Sequence, residues 1–115
     1  MNIKNVVVVG GGCCGVFAAV RAAQAGLKVA IVERSNCFGG VATNGLVNVW
    51  HSLFDIYHKE QIIGGLTHEV AQTLLKSGYG TLSRSEARYI TFDPNALKLV
   101  LDELVTTAGI KVFFH

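Results

Sequence analysis

The stretch Val6–Gly15, V-V-V-V-G-G-G-C-C-G, constrains this chain more than any other. Four valines in a row favour an extended strand, because a β-branched side chain is stiff and packs well on a pleated surface. The unbroken run, with no polar alternation, predicts a strand buried on both faces, as in a parallel sheet. The glycines that follow stand in G-x-G-x-x-G spacing at Gly10, Gly12 and Gly15. In a strand–turn–helix unit, Gly10 turns the chain out of the strand and Gly12 lets the backbone approach a pyrophosphate. Gly15 lets the helix pack close to the strand. A pyrophosphate then lies on the free N–H groups at the positive end of the helix.

The neighbouring residues supply the context this motif needs. Ile3–Val9 is expected as the first strand. Cys13–Ala25 is expected as a helix with Val16, Ala19, Val20 and Ala23 along one face. Gly26 suits a left-handed helix stop, with Leu27 packing behind it. Lys28–Glu33, K-V-A-I-V-E, reads as the second strand and closes a βαβ unit. Glu33 lies 23 residues after Gly10, near the offset at which an acid accepts hydrogen bonds from ribose hydroxyls. A carboxylate there repels a 2′-phosphate and so disfavours NADP. Arg34 follows the acid and is read as a surface or adenine-flanking residue.

Ser35–Val41 brings a second glycine pair, Gly39-Gly40, suited to close backbone approach. Ala42–Ile63 has no clean period and carries the only tryptophan, Trp50, with His51 and His58. A long apolar segment of this kind covers something or lines a site. Residues 42–92 are therefore read as an insertion before the third core strand. Within it, Leu66–Ser77 reads as a helix with Leu66, Val70, Leu74 and Leu75 as its stripe and Thr67 as its cap. Gly80–Arg88 reads as a polar loop and Tyr89–Phe92 as a short strand. Asp93-Pro94 is a strong helix start, with Asp as N-cap and Pro in the first turn. That helix is expected to run to Ala108, with Leu97, Val100, Leu101, Leu104 and Val105 on one face. Gly109 stops it, and Ile110–Phe114 reads as another buried parallel strand. The fold class is α/β: a Rossmann-like parallel sheet in order 3-2-1, within a single domain over residues 1–115.

Composition narrows the function. Half of the residues are hydrophobic and 16% are charged, at a net charge of +2. That is ample material for a core, with no basic run for nucleic acid. The apolar region from Val6 to Val20, behind Lys4, loosely resembles a signal peptide, but three glycines and Cys13-Cys14-Gly15 interrupt it. It is also shorter than a membrane span. The three cysteines, Cys13, Cys14 and Cys37, follow no disulfide-framework spacing and fit a reduced, cytoplasmic protein.

Candidate chemistry is sparse. Cys13 and Cys14 sit at a helix N-terminus, which lowers thiolate pKa, but they lack the spacer of a redox C-x-x-C pair. They read as small packing residues of the glycine turn. Cys37 reads as a loop residue. His51, beside Trp50, is the best acid–base candidate; His58, His68 and His115 have weaker cases. No His/Cys spacing indicates a metal site, and no nucleophile elbow is present.

At Gly10–Gly15, Glu33-Arg34 and Gly39-Gly40-Val41-Ala42-Thr43 the sequence resembles the N-terminal part of FAD-dependent oxidoreductases. Phe92-Asp93-Pro94, the helix ending at Gly109 and the strand Ile110–Phe114 resemble the same family. The resemblance implies FAD as cofactor. It implies Gly10, Gly12, Gly15 and the neighbouring amides of Cys13 and Cys14 at the pyrophosphate, and Glu33 with Arg34 at the adenosine. It also implies Gly39, Gly40, Ala42 and Thr43 near the ribityl chain or flavin. Members of that family continue beyond their third strand with further strands and a substrate domain, so the chain looks like a fragment of a larger flavoprotein. Self-association or pairing with the remainder of the enzyme is expected on that basis. Three alternatives remain open from the residues: an NAD-dependent oxidoreductase domain, a non-enzymatic module for adenine nucleotides, and an orphan fragment that keeps the fold but binds nothing tightly. The substrate is not legible.

Overall fold

The computed structural model describes residues 5–115. In chain order the elements are strand β1 (Asn5–Val9), helix α1 (Cys13–Gln24), strand β2 (Lys28–Glu33), a single 3₁₀ turn (Gly40–Ala42) and strand β3 (Val49–Trp50). Then come helix α2 (Gly65–Lys76), strands β4 (Gly80–Leu82) and β5 (Ile90–Phe92), helix α3 (Pro94–Thr107) and strand β6 (Lys111–Phe114). Ile3 and Lys4, expected to open the first strand, lie outside the described residues.

β1, β2 and β6 form a parallel sheet with β2 in the middle, so the expected 3-2-1 order holds. Val8 pairs with Ile31, and Ile31 with Val112, across the three strands. The two crossovers step in the same direction, from β1 to β2 to β6. Crossovers of one hand that step the same way place their helices on the same face. The core shows it: Val16, Ala19 and Val20 of α1 and Leu97, Leu101 and Val105 of α3 pack with Val29 and Ile31. The opposite face is bare. Val7 is 64% exposed and Val9 83%. β6 likewise leaves Phe113 half-exposed on this face, while Phe114 turns the other way onto Phe38. The expectation of strands buried on both faces is therefore corrected. A valine run reports that a strand is favoured; it does not report how many layers cover it.

A second, antiparallel sheet runs β3-β5-β4. Trp50 faces Ile90, and Ile90 faces Leu82. Two expectations change here. Gly80–Arg88 is not all loop, because β4 occupies its first three residues; their stabilising partner is β5, not a local pattern. Val49–Trp50 likewise becomes a strand only through that ladder. Phe92 and Ile90 turn inward onto α2, joining Leu66, Val70, Ala71 and Leu74 in the same continuous core.

The helix ends follow their residues with one exception. Asp93 caps α3, accepting hydrogen bonds from the N–H groups of Asn95 (2.7 Å) and Ala96 (3.4 Å). Thr67 does not cap α2. The N-cap is Gly64, with no side-chain cap, and Thr67 already lies inside the helix.

Candidate functional site

The glycine turn sits at the carboxyl ends of the parallel strands, where open α/β sheets bind ligands. Gly10 has φ +102, a left-handed value that a side chain would strain. Its N–H donates to Val32 O (2.8 Å), fastening the turn to β2. A Cβ on Gly15 would lie 1.9 Å from the Gly10 carbonyl oxygen, so helix and turn are in backbone contact. The first backbone bond of α1 runs from Val16 N–H to Gly12 O (2.9 Å). The amides before Val16 therefore point out of the helix end. Gly12, the N-cap, offers no side-chain cap, and the first turn carries no acid. A Cβ on Gly12 would meet nothing within 4 Å. This helix end has its positive field, its donors and open space, which is what an anion requires.

Glu33 stands beside it, 7% exposed. Its Oε2 accepts the Gly11 N–H and its Oε1 accepts the Ser35 N–H (2.7 Å). Burial alone would raise its pKa. The N–H donors of Ser35 and Gly11, helped by Arg34, outweigh burial and hold the carboxyl below its ordinary value. The charged form is thus built into the turn. Each oxygen keeps a lone pair beyond its amide bond, so the carboxylate retains capacity to accept from a diol.

The second glycine pair meets the first. Gly39 N–H donates to Gly11 O (2.8 Å). A Cβ on Gly40 would stand 3.2 Å from the Gly12 Cα. Ala42 and Thr43 are buried. The Thr43 hydroxyl donates to Phe38 O (2.7 Å) and so shapes the 39–43 loop from within. Phe38 fills the space under Gly11 and packs on Phe114, with ring centroids 5.0 Å apart.

Two hollows flank the turn. One, about 360 Å³, lies between Val9, Gly10, Val32, Glu33, Arg34 and His115. The other, about 390 Å³, includes Gly12, Cys13, Cys14, Gly39, Ala42 and Trp50 in its walls. The structure therefore places Gly10, Glu33 and Arg34 in the first hollow and Gly12, Cys13, Cys14, Gly39 and Ala42 in the second, on either side of the same glycine turn, with Gly15 and Gly40 in its backbone framework. The segment carrying Trp50 was read as one that covers or lines a site, and Trp50 is a wall of the second hollow; His115, which lines the first hollow with Glu33, was missed. His115 was findable: it follows β6 at the carboxyl edge of the sheet. His51 is exposed and lies outside the walls of both hollows.

The cysteines bring a correction. Burial, then the neighbouring Cys14, pushes the Cys13 thiol up to about 11, against the expected lowering by the helix end. Its Sγ donates weakly to Gly39 O (3.6 Å). Cys13 is a packing residue of the cleft floor. Cys14 is exposed, and Cys37 lies against Asn44 Oδ1 (3.1 Å). Among the described residues no cluster of His, Cys, Asp and Glu could hold a metal, and no helix is long and apolar enough to cross a membrane.

Residues 5–115 match the family described as FAD dependent oxidoreductase. The dihydrolipoyl dehydrogenase of Trypanosoma brucei brucei is 33% identical over 128 residues, covering 85% of this chain and 26% of that protein. The dihydrolipoamide dehydrogenase of Chaetomium thermophilum is 26% identical over 129 residues, covering 87% and 25%. The chain spans about a quarter of the length of these curated relatives. Among solved structures, Thermovibrio ammonificans THI4 aligns with a TM-score of 0.60 at 23% identity, over 96% of this chain and 38% of that one. The Diels-Alderase PyrE3 of pyrroindomycin biosynthesis aligns with a TM-score of 0.62 at 15% identity, over 96% and 25%. These two share the fold. A family match that runs from the first strand to the last residue decides the assignment: this chain belongs to the FAD dependent oxidoreductase family.

Proposed function

We propose that the chain holds the ADP moiety of FAD in a flavin-dependent oxidoreductase. One observation carries this reading: the uncapped, acid-free end of α1 at Gly12 lies beside a buried carboxylate already anchored to the same turn. The amides from Gly12 to Gly15 would take the pyrophosphate. Glu33 would accept from the ribose hydroxyls, with Arg34 and His115 bordering the adenine side. The hollow walled by Ala42, Trp50 and the Gly39-Gly40 loop would receive the flavin side, and its apolar walls would keep water from it. When bound, the flavin accepts a hydride or electrons from a substrate; the protein's part is binding, orientation and water exclusion. His51, the weak acid–base candidate of the sequence, stands exposed outside both hollows, and no catalytic residue is assigned.

The same reading treats residues 42–92 as an insertion of one FAD domain. It assigns pairing with further chain, or with a second copy, to the bare sheet face at Val7, Val9, Val32 and Phe113. The free cysteines support a reducing, cytoplasmic setting.

The test is the absorption spectrum of the purified chain after loading with FAD and desalting. Retained flavin bands that weaken in Glu33→Ala support the proposal. No retention, together with thermal stabilisation by ADP or NAD, would replace it with an adenine-nucleotide module.

A further inference from the structure

A third cavity, about 180 Å³, lies away from the glycine turn, between α2, the β3-β5-β4 sheet and the loop after β3. Its floor is apolar and buried: Leu53, Ala71 and Ile90 are each under 10% exposed. Phe54 forms a wall, and the Arg88 guanidinium stands over the Phe54 ring, 4.8 Å from its centroid. His68 and Gln72 line the cavity from successive turns of α2. Among the described residues, the side chains of Arg88, His68 and Gln72 have no hydrogen-bond partner, the ion pair found is Arg21–Glu69, and no carboxylate lines the cavity.

These facts combine into a recognisable chemistry. A dry apolar cavity of about 150 Å³ is known to take a benzene-sized group, so this one suits a six-membered ring or a branched chain of similar size. At its rim stands a permanent cation already stacked on an aromatic face, flanked by an imidazole and an amide that can each donate. Arg88 also has φ +46, a left-handed value uncommon for a bulky residue. A guanidinium fork without a protein partner matches a carboxylate, and such charge-assisted bonds are the stronger kind. We infer that this cavity binds a small amphipathic carboxylate, with its apolar body on Leu53, Ala71 and Ile90 and its carboxylate on Arg88, assisted by His68 and Gln72.

The site is separate from the flavin cleft, yet touches it through one ladder pair. Trp50, a wall of the cleft, faces Ile90, a floor residue of this cavity. The inference does not depend on flavin binding.

Benzoate is the probe, and benzamide is its uncharged isostere. Titrations of the ¹⁵N-labelled chain are followed by amide shifts. Benzoate should saturate shifts at Ala71, Gln72, Arg88 and Ile90, and benzamide should bind far more weakly. Arg88→Gln, at an exposed position, should fold normally and weaken benzoate about ten- to a hundredfold. It should leave benzamide unchanged. Ala71→Val, which shrinks the cavity, should weaken both probes. Three outcomes would overturn the inference: no saturable shifts at these amides, equal affinity for the two probes, or benzoate binding unaltered in Arg88→Gln.

Discussion

Glu33 accepts a hydrogen bond from the N–H of Gly11, tying the end of β2 to the turn that leaves β1. The acid proposed to read a ribose is therefore also a brace of the glycine turn. Glu33→Gln keeps the shape but presents an amide NH₂ toward donors that need an acceptor. It should cost about 1–3 kcal/mol of stability, the usual penalty for a buried donor left unsatisfied. Chemical denaturation at pH 7 measures it.

The same carboxyl gives a pH dependence of definite sign. Its folded pKa lies below the ordinary 4.5, so the unfolded chain binds the proton more readily. The stability it contributes is full above about 4.5 and is lost as pH falls through the folded value. Denaturation midpoints should fall more steeply with acidification in the parent protein than in Glu33→Gln. Parallel pH profiles would remove Glu33 from this role.

Gly15 and Gly12 separate architecture from binding. An alanine in the first turn of a helix would ordinarily gain about 1 kcal/mol over glycine. At Gly15 that gain is overwhelmed, because the Cβ would stand 1.9 Å from a backbone oxygen. Gly15→Ala should destabilise the fold by several kcal/mol, on the order of other severe overpacking. Gly12→Ala meets open space and should leave the melting temperature nearly unchanged while abolishing flavin retention. Thermal denaturation paired with the desalted spectrum distinguishes the two.

Asp93 makes a narrower claim. Asp93→Ala removes the acceptor for Asn95 and Ala96 and should cost about 1 kcal/mol. Hydrogen exchange should report loss of protection concentrated in the first turn of α3.

The cysteines should differ in reactivity. With its thiol pushed up to about 11, Cys13 at pH 8 is thiolate in about one molecule in a thousand. Peptide-mapped alkylation should modify exposed Cys14 first and Cys13 last, with Cys13 gaining as pH approaches 10. Equal rates at pH 8 would contradict the buried assignment.

Much of this was legible where the signal is local. The glycine spacing, the six residues of β2, the Asp93-Pro94 start and the Gly109 stop each act within a few residues, and each stands where it was read. Contacts with distant partners were not legible. β3 and β4 are strands only because β5 lies between them, and two or three residues carry no period of their own. Thr67 had the chemistry of a cap, but the helix began two residues earlier. Cys13 was read as a packing residue, which its half-buried place bears out, but the lowering of its thiol pKa expected from the helix end is reversed by the burial its neighbours create. The walls at Trp50 and His115 come from residues far apart in the chain that meet at the carboxyl ends of the strands.

The sheet clothed on one face only has a calorimetric consequence. An ordinary globular chain of 115 residues absorbs about 1.4–1.7 kcal/mol/K of additional heat capacity on unfolding, chiefly from apolar surface newly wetted. Here Val7, Val9, Val32 and Phe113 are already wet before unfolding starts. The increment should fall short of that range, and the stability curve should be correspondingly flatter. Any layer laid over those four side chains should deepen the curvature without altering a single hydrogen bond of the sheet.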